Sequence, residues 1–481
     1  MIRLAKSPAA PDGSRDITDL YKVKVNGIDC DVHPARVSAM PFNRAWPGKQ
    51  RSIDQSELAA FISFEADEKV TLTIECQKSF EKAIVRPLSK NVSVSSEGTT
   101  VVMEITECGQ YVLELDDEHQ ALHIFVNKPN DYPDAGSATY YYGPGVHYPG
   151  LVRLKSGDRV YVDKEAVVNG SFMGEGVHDI KIFGQGIIDG TYEERLIEHC
   201  YLSSTKGNIK FYDCSDISIE GVILRNSAIW VISLFGCNLV HIDGVKIIGQ
   251  WRYNTDGVDI CNSKDVVVKN SFIRAFDDVI TIKGIPDYRH LPVGHILVDN
   301  CVMWCGWGRN IEIGIETYCT EFSNIEFRNC ELVHSSASCI DIQNGGVAEI
   351  SHIRFENINV EYSNKCMQEV YQESDEMKYE AHGRVGMPYL IFADNFKFIL
   401  PNATEEEINT FGITHGIIYK NINVYLDDGL PMPCIHIGSR SADAVPYDFF
   451  IDGLYVNGKK ILDLSEMTYT PDPNVTKIFV S

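Results

Sequence analysis

Three aspartates in one short stretch rich in Val and Ile have the residue types and the spacing that acid–base catalysis requires. Asp256 precedes Asp277 and Asp278 by 21 and 22 residues, which is close to one coil of the repeat described below. Side chains at matching positions of neighbouring strands lie about 4.8 Å apart, and carboxylates that close raise the pKa of at least one of them. A protonated carboxyl group beside an ionised one can protonate a leaving oxygen and activate water, as inverting hydrolysis of a glycoside needs.

The Asp277–Asp278 pair also carries a local argument. In a flat strand Asp278 would share a face with Ile280 and Ile282, where an unpaired carboxylate would be costly. The chain is therefore expected to bend here and to present both carboxyl groups. A turn-capping role would explain any one of these aspartates, but three stacked together favour a catalytic site.

A repeat of short apolar strands, each ending in Gly or Asn, dominates the chain beyond residue 150. Successive copies are 23, 26, 30, 29 and 28 residues apart, counted between the punctuating residues. These are Gly221, Gly244, Asn270, Asn300, Asn329 and Asn357. A period of this length is typical of stacked repeats, and Gly or Asn at a fixed turn suits a left-handed backbone. The pattern predicts an all-β fold, a right-handed parallel β-helix in which each copy is one coil.

A change of pattern along the chain predicts two domains. Alternating strands and turns indicate a small antiparallel β-sandwich at residues 1–130. The β-helix then occupies residues 131–475, and its repeat is interrupted at about residues 362–414. A long insertion in a solenoid usually lies on one face, so this segment is expected to be a lid over the site or an oligomer contact.

Composition excludes several classes of function. The 481 residues carry a formal charge of −24, which argues against nucleic acid as a partner. No apolar run is long enough to span a membrane and the N-terminus lacks the apolar core of a signal peptide, so we expect a cytoplasmic protein with no membrane partner. The 14 cysteines show no metal-ligand spacing, which predicts buried free thiols, no metal and no cofactor. Homo-oligomerisation is left open.

The motifs around the acids carry a family resemblance. "NTDG" followed one coil later by "DD", together with "GQGIIDG" and "NSAIWVISLFGCNLVHI", resembles the polygalacturonase family of glycoside hydrolases, family 28. The resemblance extends over about residues 143–458. It implies that Asp277 is the general acid and that Asp256 and Asp278 hold the attacking water.

Two departures from the family pattern bear on the substrate. Trp307 stands where the family has a histidine, while Glu316 matches the family's Glu and Glu312 is additional. One coil later, Asp341 and Gln343 occupy the positions of the family's Arg and Lys, whose cations hold galacturonate carboxylates. An acid and an amide in place of two cations would repel a uronate and suit sugar hydroxyls. The resemblance with these departures predicts a neutral glycan.

The expected activity is that of an inverting O-glycosyl hydrolase acting on a neutral, α-linked oligo- or polysaccharide, either dextranase-like or exo-acting. A sandwich ahead of a β-helix with three site aspartates is similar to the dextranase and isopullulanase family, family 49, which supports this expectation. The residues expected to bind or support the carbohydrate are Asn254, Asp259, Lys283, Trp307, Arg309, Glu312, Glu316, Asp341, Gln343 and Trp251.

Three other hypotheses are consistent with the residues. A pectin-type hydrolase could bind galacturonide through other cations, for which Arg252, Lys283 and Arg309 are available. A β-helix lyase or epimerase would need a basic residue as catalyst and calcium-binding acids. A non-catalytic glycan-binding β-helix is the third, because the histidine of the family is absent.

Overall fold

The computed structural model describes residues 1–38, 53, 56–193, 207–364, 370–371, 380–381, 387–442, 444–469, 471–472 and 475–481. The chain is built almost entirely of β-strands, as the sequence predicted. Two small sheets are formed by residues before 128, and a right-handed parallel β-helix is formed by residues 140–480. No helix in these described ranges is long and apolar enough to cross a membrane.

The N-terminal sandwich consists of two sheets whose apolar faces share one core. Its strands are β1 Ile2–Leu4, β2 Tyr21–Val25, β3 Ile28–Cys30, β4 His33–Ser38, β5 Ser56–Ala66, β6 Val70–Cys76, β7 Ala83–Arg86, β8 Val94–Glu97, β9 Thr100–Ile105, β10 Gly109–Leu115 and β11 Asp117–Asn127. One sheet has the order β1-β5-β11-β10-β7 with β4 beside β5, and the other has the order β3-β2-β6-β9-β8. The strands of the sandwich pair antiparallel, as predicted, except that β5 and β11 pair in parallel. The chain between them passes through the other sheet, and such a crossover permits parallel pairing.

The β-helix is a stack of coils in which most strands pair in parallel with the strand one coil later. Its strands and those of a small hairpin, β34–β35, are β12 Tyr140–Tyr142, β13 Gly145–Arg153, β14 Arg159–Val162, β15 Ala166–Glu175, β16 His178–Gly184, β17 Ile187–Asp189, β18 Ile209–Tyr212, β19 Ser215–Glu220, β20 Ile223–Arg225, β21 Ile232–Phe235, β22 Asn238–Asp243, β23 Lys246–Ile247, β24 Val258–Cys261, β25 Lys264–Lys269, β26 Phe272–Ala275, β27 Ile280–Gly284, β28 Val293–Asp299, β29 Val302–Cys305, β30 Arg309–Thr317, β31 Glu321–His334, β32 Ser338–Asn344, β33 Glu349–Tyr362, β34 Val370–Tyr371, β35 Glu380–Ala381, β36 Tyr389–Asn395, β37 Ile413–Leu426, β38 Cys434–Ser439, β39 Tyr447–Val456, β40 Lys459–Ile461, β41 Thr468–Tyr469 and β42 Thr476–Val480. Single 3-10 turns lie at Leu88–Lys90, Ala135–Ser137, Pro286–Tyr288 and Leu464–Glu466. Alternate side chains point inward, and Val, Ile and Cys fill the interior. The cysteines of the described residues are free thiols and most are buried, as predicted.

The turn that closes each repeat has the left-handed backbone that the Gly and Asn pattern predicted. The six punctuating residues have φ between 53° and 76°. Their amides form a ladder along the helix: Asn300 Nδ2 donates to Asn270 Oδ1 at 2.8 Å, and Asn357 Nδ2 donates to Asn329 Oδ1 at 3.0 Å. The ladder satisfies the amide groups at the turn and holds successive coils in register.

Part of the segment predicted as an insertion, residues 362–414, is a coil of the β-helix. Strand β36 pairs with β32 on one side and with β38 on the other, so it continues the sheet. A short helix, α1 Glu405–Asn409, begins at a capping box in which Thr404 accepts a hydrogen bond from the Glu407 backbone. Most of residues 365–386 lies outside the described part of the chain. A lid or an oligomer contact therefore stays a prediction.

A buried polar network joins the sandwich to the coil that carries the paired acids. Arg274 on β26 donates to Nε2 of His123 on β11 at 3.1 Å, and His123 Nδ1 lies 2.9 Å from the Ala60 carbonyl. Burial, with Arg274 nearby, lowers the pKa of His123 to about 3, so a neutral imidazole can donate to Ala60 and accept from Arg274. The guanidinium lies 3.7 Å from the centroid of the Trp304 ring. The sandwich thus braces the strand that leads into Asp277.

Candidate active site

One sheet of the β-helix carries a row of polar side chains on its outer face. The sheet contains β21, β24, β27, β30, β32 and β36 in that order. The outer row is Asp259 on β24, then Thr281, Glu312 and Asp341 on the next three coils, each in register with its neighbour. All four side chains are buried. They point away from the interior of the β-helix, because side chains alternate along a strand and their apolar neighbours fill that interior. The sheet therefore presents three carboxyl groups along one line.

The three predicted catalytic aspartates lie in loops at one edge of this sheet. Asp256 precedes β24, and Asp277 and Asp278 lie between the end of β26 at Ala275 and the start of β27 at Ile280. The predicted bend at the pair is thus confirmed. The backbone Gly257 N–H donates to the Asp278 carbonyl at 2.8 Å, which places the Asp256 loop directly against the paired acids.

The two adjacent acids have opposite electrostatic environments. Asp277 is 5% exposed, and burial together with the neighbouring Asp278 raises its pKa to about 8. Burial acts on Asp278 as well, but the cations Arg309 and Lys283 outweigh it and hold the pKa of that carboxyl below its usual range. The Arg309 backbone N–H also donates to Asp278 Oδ1 at 2.9 Å, and Asn254 Nδ2 donates to Asp277 Oδ2 at 3.5 Å. At neutral pH the site holds a protonated acid beside an ionised one.

The other two aspartates of this region are deeply buried. Burial, reinforced by the surrounding carboxylates, raises the pKa of Asp256 and of Asp259 well above the usual range, while Lys283 opposes both shifts. Within the described residues, Asp256 Oδ1 and both carboxyl oxygens of Asp259 make no hydrogen bond. Buried polar atoms without partners are uncommon and mark a place where a ligand or water completes the site.

Two cations lie among these acids and each is shared. The Lys283 ammonium is 3.9 Å from Asp278 Oδ2 and 3.5 Å from Glu316 Oε2. The Arg309 guanidinium is 3.6 Å from Asp278, 3.3 Å from Glu312 and 3.7 Å from Asp341. Arg309 remains 28% exposed, whereas the Lys283 side chain is 6% exposed. Acids outnumber cations at this surface, and both cations are held by carboxylates.

The coils beyond the paired acids carry the residues that depart from the family pattern. Burial raises the pKa of Glu312 well above its usual range, and Asp278 adds to the shift while Arg309 opposes it. Asp341 accepts a hydrogen bond from the Ser338 hydroxyl, and burial raises the pKa of Asp341 to about 6 against the opposing charge of Arg309. Gln343 lies two positions further along β32, on the same outer face.

Gly308 makes the close packing of the paired acids possible. A Cβ atom at this position would lie 2.6 Å from Asp277 Oδ1 and closer still to Asp278 Oδ1. No side chain can therefore be added there unless both carboxyl groups move. This glycine was not among the residues predicted from the sequence, although it lies between two that were, Trp307 and Arg309.

Aromatic side chains border the acids on one side. The Trp307 ring stacks on Phe276, with centroids 5.8 Å apart and planes 19° apart, and lies 5.6 Å from the Tyr253 ring. Trp251 is 7% exposed and faces the Arg252 guanidinium at 5.5 Å. The Trp307 ring is thus half-buried against Phe276 and Tyr253, and the Trp251 ring is buried.

The structure brings nearly all the selected residues together, and their roles stay predictions. The paired acids, Asp256, Asp259, the two cations and the polar side chains of β30 and β32 form one largely buried polar cluster. Trp251 lies beside Arg252, and its sugar-binding role likewise stays a prediction. Thr281 was missed, although it follows Asp259 by 22 residues, the interval that selected the aspartates.

A comparison with family models matches the description "Glycosyl hydrolases family 28" over residues 146–387, which is about half of the chain. Curated relatives include a probable rhamnogalacturonase A of Aspergillus oryzae, 30% identical over 149 residues that cover 31% of this chain and 30% of the relative. A probable exopolygalacturonase B of Aspergillus terreus is 28% identical over 221 residues, covering 40% of this chain and 48% of the relative. The chain thus spans less than half the length of these relatives.

Among solved structures, Dex49A from Penicillium minioluteum covers 100% of this chain and 96% of its own, with a TM-score of 0.70 and 15% sequence identity. This likeness shows that the two share a fold from end to end, including the N-terminal sandwich. The resemblance in architecture to family 49 that the sequence predicted is thereby confirmed.

Proposed function

The chain belongs to glycosyl hydrolases family 28, and we propose that it hydrolyses a glycosidic bond with inversion, using Asp277 as the acid and Asp278 as the base. One observation carries this proposal: adjacent carboxyl groups have pKa values displaced in opposite directions, to about 8 for Asp277 and downward for Asp278. Such a pair supplies a proton donor and a proton acceptor at the same pH.

The reaction needs two proton movements and one bond exchange. Asp277 gives its proton to the glycosidic oxygen as the bond from that oxygen to the anomeric carbon breaks. A water molecule attacks the opposite face of the sugar ring, and Asp278 accepts a proton from it. The cycle leaves Asp277 ionised and Asp278 protonated, and exchange with solvent restores both.

The surrounding residues support this division of roles. Lys283 and Arg309 keep Asp278 ionised, while burial raises the pKa of Asp256 and of Asp259 and so disfavours their negative charge. The free oxygens of Asp256 and Asp259 are available to a water molecule or to sugar hydroxyls. We assign them to holding the attacking water and the sugar in place.

We propose that the substrate is a neutral, α-linked glycan. The carboxylate of a uronate would need a cation, but Lys283 and Arg309 are shared among Asp278, Glu316, Glu312 and Asp341. The third cation named from the sequence, Arg252, is buried and donates to backbone carbonyls. Sugar hydroxyls suit Asp341 and Gln343, and the partly exposed ring of Trp307 suits a pyranose.

A pectin-type substrate is the second candidate, and a specific observation favours it. Arg309 is 28% exposed, so a uronate could compete for it with the three carboxylates that it contacts. The relatives named above as a probable rhamnogalacturonase and a probable exopolygalacturonase point the same way.

A panel of oligosaccharides decides between the two. The protein is incubated with neutral α-glucans and with oligogalacturonides of matched length, beside Asp277→Asn and the exposed control Asp216→Asn. We expect cleavage of a neutral member, a loss of about 10³-fold in Asp277→Asn and no loss in the control. Cleavage of galacturonides alone would show that the protein is a pectin-type hydrolase. Cleavage undiminished by Asp277→Asn would refute the role of this acid.

A further inference from the structure

Three aromatic rings continue the outer row beyond the acids. The register places Phe392 on β36 beside Asp341, and His436 on β38 beside Phe392. The rings of Phe392 and His436 stack at 4.7 Å with planes 28° apart, and the Tyr389 ring meets Phe392 edge-on at 5.1 Å. Tyr389 is 39% exposed, and the other two rings are partly exposed. We call these three residues the aromatic platform.

A charge-balanced polar pair borders the platform. Asp394 is in register with Gln343 and is 3% exposed, and it accepts a hydrogen bond of 2.9 Å from Nε of Arg440. The Arg440 side chain is 64% exposed, and its guanidinium lies 4.5 Å from the centroid of the Phe396 ring. Burial lowers the pKa of His436, which therefore carries a neutral ring at neutral pH. Asp472 lies close by and accepts a hydrogen bond of 3.0 Å from the Ser439 backbone N–H, so the border offers both donors and acceptors.

A glycine lets the platform form. Gly438 on β38 pairs with Asp394 on β36. A Cβ atom at Gly438 would lie 2.7 Å from the His436 ring. Without a side chain at this position, the imidazole can lie flat beside Phe392. Along the β-helix the outer row thus changes from carboxyl groups to aromatic rings, and the Asp394–Arg440 pair lies at one edge of these rings.

We propose that the aromatic platform is a distal subsite that binds a sugar residue of the glycan three to four coils away from the bond that is cleaved. The inference rests on the proposed function, because the platform extends the same outer row. Partly exposed stacked rings offer a flat apolar face to the C–H groups of a pyranose, and the Asp394–Arg440 pair offers hydrogen bonds to its hydroxyls. Coils are about 4.8 Å apart, a pitch comparable to the length of one sugar residue, so a chain bound over Asp341 reaches the platform.

The platform has a direct consequence for chain length. A substrate long enough to reach Phe392 gains binding there, and a disaccharide gains none. Loss of the ring should therefore lower kcat/KM for long substrates by about tenfold and leave the value for a disaccharide unchanged.

The test uses α-1,6- and α-1,4-linked gluco-oligosaccharides of two to seven units with Phe392→Ala and, as a second variant, Tyr389→Ala. Phe450→Ala is the matched control, because Phe450 is a 40% exposed ring stacked on Phe479 at 5.0 Å outside the outer row. We expect the loss to appear only in the two platform variants and only for long substrates. An equal loss at every length, or no loss in either variant, would overturn the subsite.

Binding separates failure of the subsite from failure of the proposed function. The same oligosaccharides are titrated into Asp277→Asn, with and without Phe392→Ala, by calorimetry. Affinity that rises with length and falls with Phe392→Ala supports the subsite even if nothing is hydrolysed. Hydrolysis without any such dependence would overturn the subsite and leave the proposed function standing. Absence of both binding and hydrolysis would overturn both.

Discussion

Replacing Asp277 by an asparagine should make the free energy of unfolding less dependent on pH. The pKa of this carboxyl is about 8 in the folded protein against 3.8 in the unfolded chain. The folded state therefore holds the proton more tightly, and the stability that this contributes is complete below pH 3.8 and is lost as pH rises through about 8. Each pH unit in that window changes the free energy of unfolding by about 1.4 kcal/mol.

The size of the pKa shift sets the expected change in the free energy of unfolding. Between about pH 5 and about pH 7.5, Asp277 in the wild type should lose about 3 kcal/mol of stabilisation, whereas the amide of the Asp277→Asn variant cannot titrate. The stability of Asp277→Asn relative to the wild type should therefore increase by about 3 kcal/mol over this interval. Both proteins and the exposed control Asp216→Asn are unfolded in urea at the two pH values, and fluorescence is followed.

The comparison with the control makes the result decisive. Asp216 lies on the outer surface of β19, so its replacement should give the same relative stability at both pH values. If Asp277→Asn also gained less than about 1 kcal/mol between the two pH values, Asp277 would not be held protonated. The assignment of this residue as the acid would then lose its physical basis.

Three further predictions concern activity on the substrate identified by the panel. The pH profile of kcat/KM should fall above about pH 8 as Asp277 loses its proton; a plateau extending beyond about pH 9 would contradict this. Arg309→Met should raise the pKa of Asp278 and move the acid limb of that profile to higher pH, and an unmoved limb would show that Arg309 does not keep Asp278 ionised. Gly308→Ala should lower kcat about 10²-fold by displacing both acids, whereas Gly136→Ala, which adds a Cβ atom in open space, should change nothing. Equal activity in the two glycine variants would refute the packing argument.

The elements that obey a local rule could be predicted from the sequence. The left-handed turns follow from Gly and Asn at a fixed place in each repeat, because few other residues adopt that backbone. The bend at Asp277 and Asp278 follows from the cost of placing a carboxylate in an Ile-lined interior. Their proximity to Asp256 follows from the coil length alone.

Elements that depend on distant contacts could not be predicted. The parallel pairing of β5 with β11 joins segments separated by an entire sheet. Asn357 and Asn421 occupy equivalent turns, because both have left-handed backbone and a hydrogen bond of 3.1 Å joins them. They are 64 residues apart in the sequence, and strand β36 between them was therefore assigned to an insertion. That spacing hides the period, so Phe392 was not recognised as part of the row.

The charges of the site depend on side-chain positions that no spacing reveals. Arg252 and Arg309 are equivalent candidates in the sequence, but one donates to backbone carbonyls and the other contacts three carboxylates. This difference decides which cation lowers the pKa of Asp278 and how much positive charge is left for a substrate.

The anomeric configuration of the first product tests the central claim most directly. The reaction is followed by proton NMR from its first minutes, before mutarotation, with an α-linked oligosaccharide that the protein cleaves. Water activated by Asp278 on the face opposite Asp277 must yield the β anomer first. Initial formation of the α anomer would show a retaining reaction and would contradict the roles assigned to both acids.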